Sequence, residues 1–271
     1  MNKSKILVSI GIAFALLFFV SRAKISFAGS EARSLAPTAE FPSQDDNTQK
    51  KAARVWEQAL AAKGGRDKLH RISNIAVSTE ARLTKKNRIR REEFCVFPDK
   101  YWFWDDYRPS NLGLTIMMYD YANKTSYMVT NGEVNKPPEL NEYWRRAPVA
   151  LQLEYLLESR WVAPKVIRSM PGHVEQRAVD NVETLVNSNR VDFSFDQETH
   201  LLLRVRYYDV PREHTFSDYV DVGGLKVPSK VDYGDQKYSV RIQFNVTYNE
   251  SIFLKPPPMS AGPEAWRRKT G

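Results

Sequence analysis

Polar and apolar residues alternate along the second half of the chain. The alternation is clearest at Val191/Phe193/Phe195, Leu201/Leu203/Val205/Tyr207 and Val240/Ile242/Phe244/Val246. Because successive side chains of a strand point to opposite faces, each of these segments is predicted to bury one face and expose the other. That pattern is typical of antiparallel sheets. We therefore predict a series of antiparallel strands from residue 175 to residue 249.

The first half begins with a helical pattern. Apolar residues share one face of a helix predicted over residues 48–63, and Gly64-Gly65 supplies its C-terminal stop. A meander of strands follows, with turns at Asn123-Lys124 and Asn131-Gly132. In chain order the predicted strands cover residues 75–83, 88–96, 100–105, 114–121 and 125–130.

A second helical stretch, residues 139–160, separates the two runs of strands. Pro148 is expected to break or kink it. The second run starts at residues 162–170, with its first turn predicted at Pro171-Gly172. The order helix, meander, helix, meander predicts one α+β domain, in which helices pack on one face of a single large antiparallel sheet.

The N-terminus has the parts of an export signal. Lys3 and Lys5 precede an apolar run of 15 residues, Ile6–Val20, and residues 26–28 resemble a cleavage site. The run is short for a membrane crossing of about 20 residues. The alternative is a retained anchor in the inner membrane, because Arg22 and Lys24 follow the run directly. Both interpretations place the body in the periplasm or cell envelope.

The remaining boundaries follow from composition. Residues 1–28 are assigned to the signal or anchor, and residues 29–47, rich in Ser, Ala, Pro and Asp, to a disordered linker. One folded domain is predicted over residues 48–258, and residues 259–271 form a loose basic tail.

Net charge argues against nucleic acid as a partner. The formal charge is +8, but four of the basic residues lie in the signal, so the mature chain is near +4. A basic run at residues 85–91 is interpreted as a solvated turn. Its alternative role is contact with anionic lipid head groups, where each charge adds about 1 kcal/mol.

No catalytic or metal-binding signature stands out. The single cysteine, Cys95, lies among apolar neighbours and is predicted to be a core residue. The adjacent pairs Glu92/Glu93 and Asp105/Asp106 point to opposite faces of their strands, so neither pair works alone as acid and base. We expect no enzyme, no cofactor and no metal. A hydrolase whose carboxylates are brought together by folding is the alternative.

Aromatic residues are dense between Phe94 and Tyr107. On the strand 101–104, Tyr101 and Phe103 share one face, and Trp102 and Trp104 share the other. Two interpretations stay open. Either helices pack on one face and a loop covers the other, or the sheet curves around an apolar cavity that binds acyl chains.

Three local motifs are similar to those of a known superfamily. They are Ala62-Lys63-Gly64-Gly65 with Lys68-Leu69, Phe97-Pro98-Asp99-Lys100-Tyr101, and Pro211-Arg212-Glu213-His214-Thr215-Phe216-Ser217-Asp218-Tyr219 running to Gly223-Gly224-Leu225-Lys226-Val227-Pro228. With the order of elements over residues 48–257, they resemble the LolA/LolB-like periplasmic lipoprotein carriers, in particular their outer-membrane lipoprotein-sorting-protein-like branch. The resemblance implies an incomplete β-barrel with helices on its concave face and an apolar cavity between them.

The resemblance also implies which residues line that cavity. In carriers, aromatic residues two apart after an Arg-Pro segment do so; here Phe97 stands in place of the arginine. The predicted cavity residues are Tyr101, Phe103, Ile116, Met118, Tyr127, Phe193, Ile242 and Phe244. The expected function is non-enzymatic binding of a lipid or acylated protein by a monomer, and a carrier is one form that this function takes. The alternative is an envelope sensor or protein-interaction module with the same fold.

Overall fold

A computed structural model describes residues 46–82, 88–108, 113–135, 142–209, 212–234 and 236–268. The predicted signal or anchor, residues 29–45 of the predicted linker and residues 85–87 of the basic run lie outside these residues, whereas residues 88–91 of that run belong to a strand. Within them, no helix combines the length and apolar character needed to cross a membrane.

Helices and strands occur in the predicted order. The helices are α1 (Asp46–Lys63), α2 (Arg66–His70) and α3 (Glu142–Leu156). The strands before α3 are β1 (Asn74–Arg82), β2 (Arg88–Val96), β3 (Lys100–Tyr107), β4 (Gly113–Asp120), β5 (Thr125–Thr130) and β6 (Glu133–Asn135). The strands after it are β7 (Lys165–Val174), β8 (Arg177–Val186), β9 (Asn189–Asp196), β10 (Leu202–Tyr207), β11 (Arg212–Val222), β12 (Leu225–Asp232) and β13 (Lys237–Phe244).

The thirteen strands found in the described residues form one antiparallel sheet. Their order is β6-β5-β4-β3-β2-β1-β13-β12-β11-β10-β9-β8-β7. Each strand pairs with its neighbour in the chain, except at the centre, where β1 pairs with β13 and Ile75 lies opposite Phe244. The sheet is not closed into a barrel, because β6 and β7 remain its two edges. The predicted α+β class with a large curved antiparallel sheet is confirmed.

Helices α1 and α3 pack on the same face of the sheet, which we call the helix-covered face. Trp56 of α1 meets Phe193 and Phe195 of β9 edge-on, with ring centroids 5.2 and 5.7 Å apart. Tyr155 of α3 meets Phe216 of β11 in the same way, at 6.4 Å. This face holds the larger apolar core of the domain.

A second, smaller core lies on the opposite face. Its centre is formed by Phe94, Trp102 and Trp104, and the C-terminal segment, residues 246–267, covers it. Trp266 is buried and stacks on Phe94 with centroids 5.0 Å apart. The part of the tail that is described therefore packs against the sheet, unlike the loose tail that the sequence predicted. Of the two interpretations of the aromatic strand, a covered second face is the one seen.

Two proline positions differ from expectation. Helix α3 continues through Pro148, because the burial of Leu151, Leu153 and Leu156 on the sheet offsets one missing backbone hydrogen bond. Strand β7 runs through Pro171, where the sequence predicted a turn. It is an edge strand, which tolerates a residue without an N–H, and the turn follows at Glu175, whose φ is 54°.

Candidate functional site

Five of the eight predicted cavity residues share the helix-covered face. Tyr101 and Phe103 stack on each other along β3 with ring centroids 6.4 Å apart. Ile242 and Phe244 lie on β13 and Phe193 on β9, all within the larger core. The structure thus brings these five to one side of the sheet, spread over β3, β13 and β9.

The other three lie on the opposite face. Ile116, Met118 and Tyr127 belong to the smaller core, and the Tyr127 hydroxyl donates to the Ile252 carbonyl at 2.6 Å. The register explains this, because Met118 lies opposite Trp102 and Ile116 opposite Trp104, not opposite Tyr101 and Phe103. The eight residues therefore do not line one space. On β4 and β5 the helix-covered face carries Met117, Tyr119 and Met128 instead.

Beside the apolar residues lies a group of ionisable side chains that we call the buried polar cluster. It consists of Arg91, Glu93 and Asp105 on the sheet, Glu154 on α3 and His214 on β11, all buried. Arg91 donates from Nη2 to Asp105 Oδ2 at 2.7 Å. Its guanidinium also lies over the Phe103 ring, 5.1 Å from the centroid. The cluster is therefore continuous with the apolar site.

Glu93 has a different partner. The Tyr101 hydroxyl donates to Glu93 Oε1 at 2.5 Å, so the polar edge of a predicted cavity residue is bound to a carboxylate. Strand register places Glu93 opposite Phe103 and Arg91 opposite Asp105. All four side chains thus point to the same side of the sheet, because paired residues share a face.

Helix α3 contributes Glu154 to the cluster from the side opposite the sheet. Glu154 accepts a hydrogen bond from the Tyr207 hydroxyl at 2.9 Å and pairs with His214 Nδ1 at 2.9 Å. The ring of Tyr233 lies edge-on to His214 with centroids 4.4 Å apart. Glu154 therefore anchors α3 to β10 and β11 through polar contacts that are screened from water.

Burial dominates the electrostatics of the cluster. It raises the pKa of Glu93, although Arg91 and the Tyr101 hydroxyl partly oppose it. It likewise raises the pKa of Asp105 against the attraction of Arg91. For Arg91 burial alone would lower the pKa, but Asp105, Tyr107 and Glu93 outweigh it and raise the pKa well above its usual value. Strongly perturbed groups of this kind are concentrated at functional sites.

The cluster was missed at the sequence level. Arg91 was assigned to a basic turn, and Glu93 was read only with its neighbour Glu92. The available signal was the alternation Arg91, Glu93, Cys95 along β2, in which two charged residues share a face with a core residue. Glu154 and His214 gave no such signal, because their pairing joins residues far apart in the chain.

The structure also describes the surroundings of Cys95 and of the side chains that could hold a metal ion. Cys95 is a free, buried thiol whose pKa is raised well above its usual value by burial, so the predicted core role is confirmed. In the part of the chain that the structure describes, no three His, Cys, Asp or Glu side chains are arranged to hold a metal ion.

No protein-family model matches the chain, and no curated protein is similar to it. Among solved structures, a LolA superfamily protein from Nitrosomonas europaea is 12% identical with a TM-score of 0.42, over 75% of this chain and 97% of that one. MucB in complex with MucA(peri) is 7% identical with a TM-score of 0.20, over 81% and 62% of the two chains. PNGF-II is 12% identical with a TM-score of 0.25, over 68% and 30%.

The first of these structures is described as a LolA superfamily protein, and the sequence motifs of this chain resemble that superfamily. At these TM-scores none of the three matches contributes to the functional argument, which comes from the residues of this chain.

Proposed function

We propose that this protein is a non-enzymatic protein of the periplasm or cell envelope that binds a lipid or a lipidated protein between α3 and the helix-covered face. The observation that carries the proposal is the way this face is covered. Tyr101, Phe103 and Ile242 lie on strands that are hydrogen-bonded into the sheet. The helices that cover these residues pack against the sheet but are not part of its hydrogen-bonded ladder. Movement of a helix would expose apolar surface without breaking the sheet.

Acyl chains suit such a space. Each methylene removed from water contributes about 0.8 kcal/mol, so a chain of about ten methylenes offers about 8 kcal/mol before the costs of opening and ordering. Entry of a chain beneath α3 would break the contacts of Glu154 with Tyr207 and His214, which adds to the cost of opening. The carrier and the sensor versions of the function share this binding step and differ in whether the ligand is passed on.

The proposal is tested by native mass spectrometry of the mature protein purified gently from its own envelope. A co-purifying lipid or acylated peptide is the expected result. A protein that stays free of ligand, both as purified and after incubation with an envelope lipid extract, would contradict the proposal.

Variants then locate the site. Phe103→Asp places a charge on the helix-covered face, and we expect it to weaken ligand binding by more than about tenfold. Val220→Asp on β11 is the control, because Val220 is 46% exposed, and it should bind normally. Ile242→Ala keeps the face apolar and is expected to weaken binding by about threefold to tenfold. Circular dichroism confirms that each variant is folded; unchanged binding in both site variants would exclude this face.

A further inference from the structure

The charges of the buried polar cluster do not balance. Among the side chains that the structure describes, three carboxylates, Glu93, Asp105 and Glu154, lie with one guanidinium and one imidazole. Arg91 is already engaged by Asp105 at 2.7 Å. Acidic groups therefore outnumber basic ones among these described, buried side chains. Burying an uncompensated carboxylate costs several kcal/mol, and a bound cation would relieve that cost as uptake of a proton does.

A hydroxyl in the same space also lacks a partner. Thr79 of β1 lies opposite Arg91 on the helix-covered face and is 1% exposed. Its Oγ1 has no hydrogen-bond partner among the described residues. Buried hydroxyls are nearly always hydrogen-bonded, so this oxygen is an acceptor or donor available to a bound group.

Aromatic rings surround the acidic groups. Tyr101 and Phe103 form one wall, and Tyr155 and Tyr233 contribute from α3 and the end of β12. The negative faces of aromatic rings attract organic cations, most of all where water is excluded. Carboxylates together with rings suit an ammonium group, and the absence of a metal-holding arrangement in the described residues agrees with an organic cation.

We infer, taking the proposed function as given, that the buried polar cluster binds an ammonium head group of the ligand while the apolar helix-covered face holds its chain. Glu93 and Glu154 are the carboxylates that the head group contacts, and the rings of Tyr101 and Phe103 lie where head group and chain meet. Arg91 stays paired with Asp105 and holds that carboxylate in place. An anionic head group is disfavoured, because Glu93 and Glu154 would repel it.

The test compares amphiphiles that share one dodecyl chain and differ only in the head group. Dodecyltrimethylammonium, dodecyl maltoside and dodecyl sulfate are titrated into the mature protein by calorimetry below their micelle concentrations. We expect the cationic amphiphile to bind about tenfold more tightly than the neutral one. Tetramethylammonium, the head group without a chain, should compete weakly; binding as tight as that of the amphiphile would contradict a lipid-type ligand.

Neighbouring residues on β2 supply a matched pair of variants. Glu93→Gln keeps the shape of the side chain and its acceptor for Tyr101, and it should abolish the preference for the cationic head group. Glu92→Gln is the control: Glu92 is equally buried but faces the opposite side, where it accepts from Ser78 Oγ at 2.6 Å. Glu154→Gln provides a second, independent variant with the same expected loss.

The outcomes separate the two proposals. Equal binding of all three amphiphiles, or a preference for the sulfate, would overturn the head-group assignment and leave the proposed function standing. A cationic preference that survives both Glu93→Gln and Glu154→Gln would also overturn it, because the head group would then bind elsewhere. Failure of every amphiphile to bind would overturn the proposed function itself.

Discussion

Lys63 ends α1 with its ammonium group inside the protein. The side chain is 1% exposed, and its Nζ has no hydrogen-bond partner among the described residues. The ring of Tyr219 lies close to it, with Nζ 5.6 Å from the centroid. Burial lowers the pKa of Lys63 from 10.5 to about 7. A neutral amine is therefore well populated at physiological pH, and the charged form destabilises the fold.

Replacing Lys63 with methionine tests this. Below pH 7 the wild type carries the full cost of the buried charge, so Lys63→Met should raise the free energy of unfolding by about 2 kcal/mol or more. Between pH 7 and 10.5 the folded state has released its proton while the unfolded state has not, so wild-type stability rises with pH. The advantage of the variant should shrink accordingly. Urea denaturation at pH 6 and pH 9.5 measures both differences; a difference independent of pH would contradict the buried charge.

Single residues show where sequence reasoning works and where it stops. Cys95 was predicted correctly because its neighbours are apolar. The burial of Lys63 and Glu93 was not predicted, because charged residues are mostly exposed unless they have a partner. Ile116 and Met118 were placed with Tyr101 although they face away from it. Residues 114–119 are almost entirely apolar, and with both faces covered there is no polar face to mark the phase of the strand.

Glu158 ties together the elements at the start of the domain. It follows α3, accepts a hydrogen bond from Trp56 Nε1 of α1 at 3.1 Å and pairs with Arg66 of α2 at 2.6 Å. His70 Nε2 lies 3.0 Å from the same carboxylate. Burial alone would raise the pKa of Glu158, but the hydrogen bonds from Arg66 and Trp56 outweigh it, so the pKa is lowered. One carboxylate thus connects α1, α2 and the chain after α3.

We expect Glu158→Gln to lower the free energy of unfolding by about 1–2 kcal/mol at pH 7. A carboxylate whose folded pKa is lowered stabilises above its unfolded pKa, and this stability is lost as pH falls through the folded pKa. The difference between wild type and variant should therefore shrink as the pH falls below the usual carboxyl pKa. Glu57→Gln is the control, because Glu57 pairs with the same Arg66 on the exposed side, and it should cost less than about 0.5 kcal/mol. Equal losses in both variants would refute the linking role of Glu158.

At the level of elements, the order of helices and strands was predictable from periodicity and turn residues. The path through Pro148 and Pro171 was not, because the effect of a proline depends on what packs against it. Pro171 is tolerated only because β7 is an edge strand, and edge position is a property of the whole sheet.

The molecule has two cores, one on each face of the sheet, and the C-terminal segment closes the smaller one. Trp266→Ala removes the ring that stacks on Phe94 and leaves a cavity, so it should lower the free energy of unfolding by about 3–5 kcal/mol. Leu254→Ala in the same segment is the control, because Leu254 is 80% exposed, and it should change stability by less than about 0.5 kcal/mol. Chemical denaturation measures both. Similar small effects would show that the segment contributes little to the fold.

The pairing of β1 with β13 sets the order in which the sheet can be completed. Within each meander the strands are close in the chain and can pair early. The second edge of β1, however, stays unpaired until β13, the last strand of the sheet, has been made. Until then the free edges of β1 and β12 are both open to pairing with other chains. Long-range pairing of this kind is slow, since the intervening chain must be ordered first. We therefore expect a newly made molecule to expose two unpaired edges until β13 is in place, and to be most prone to self-association before then.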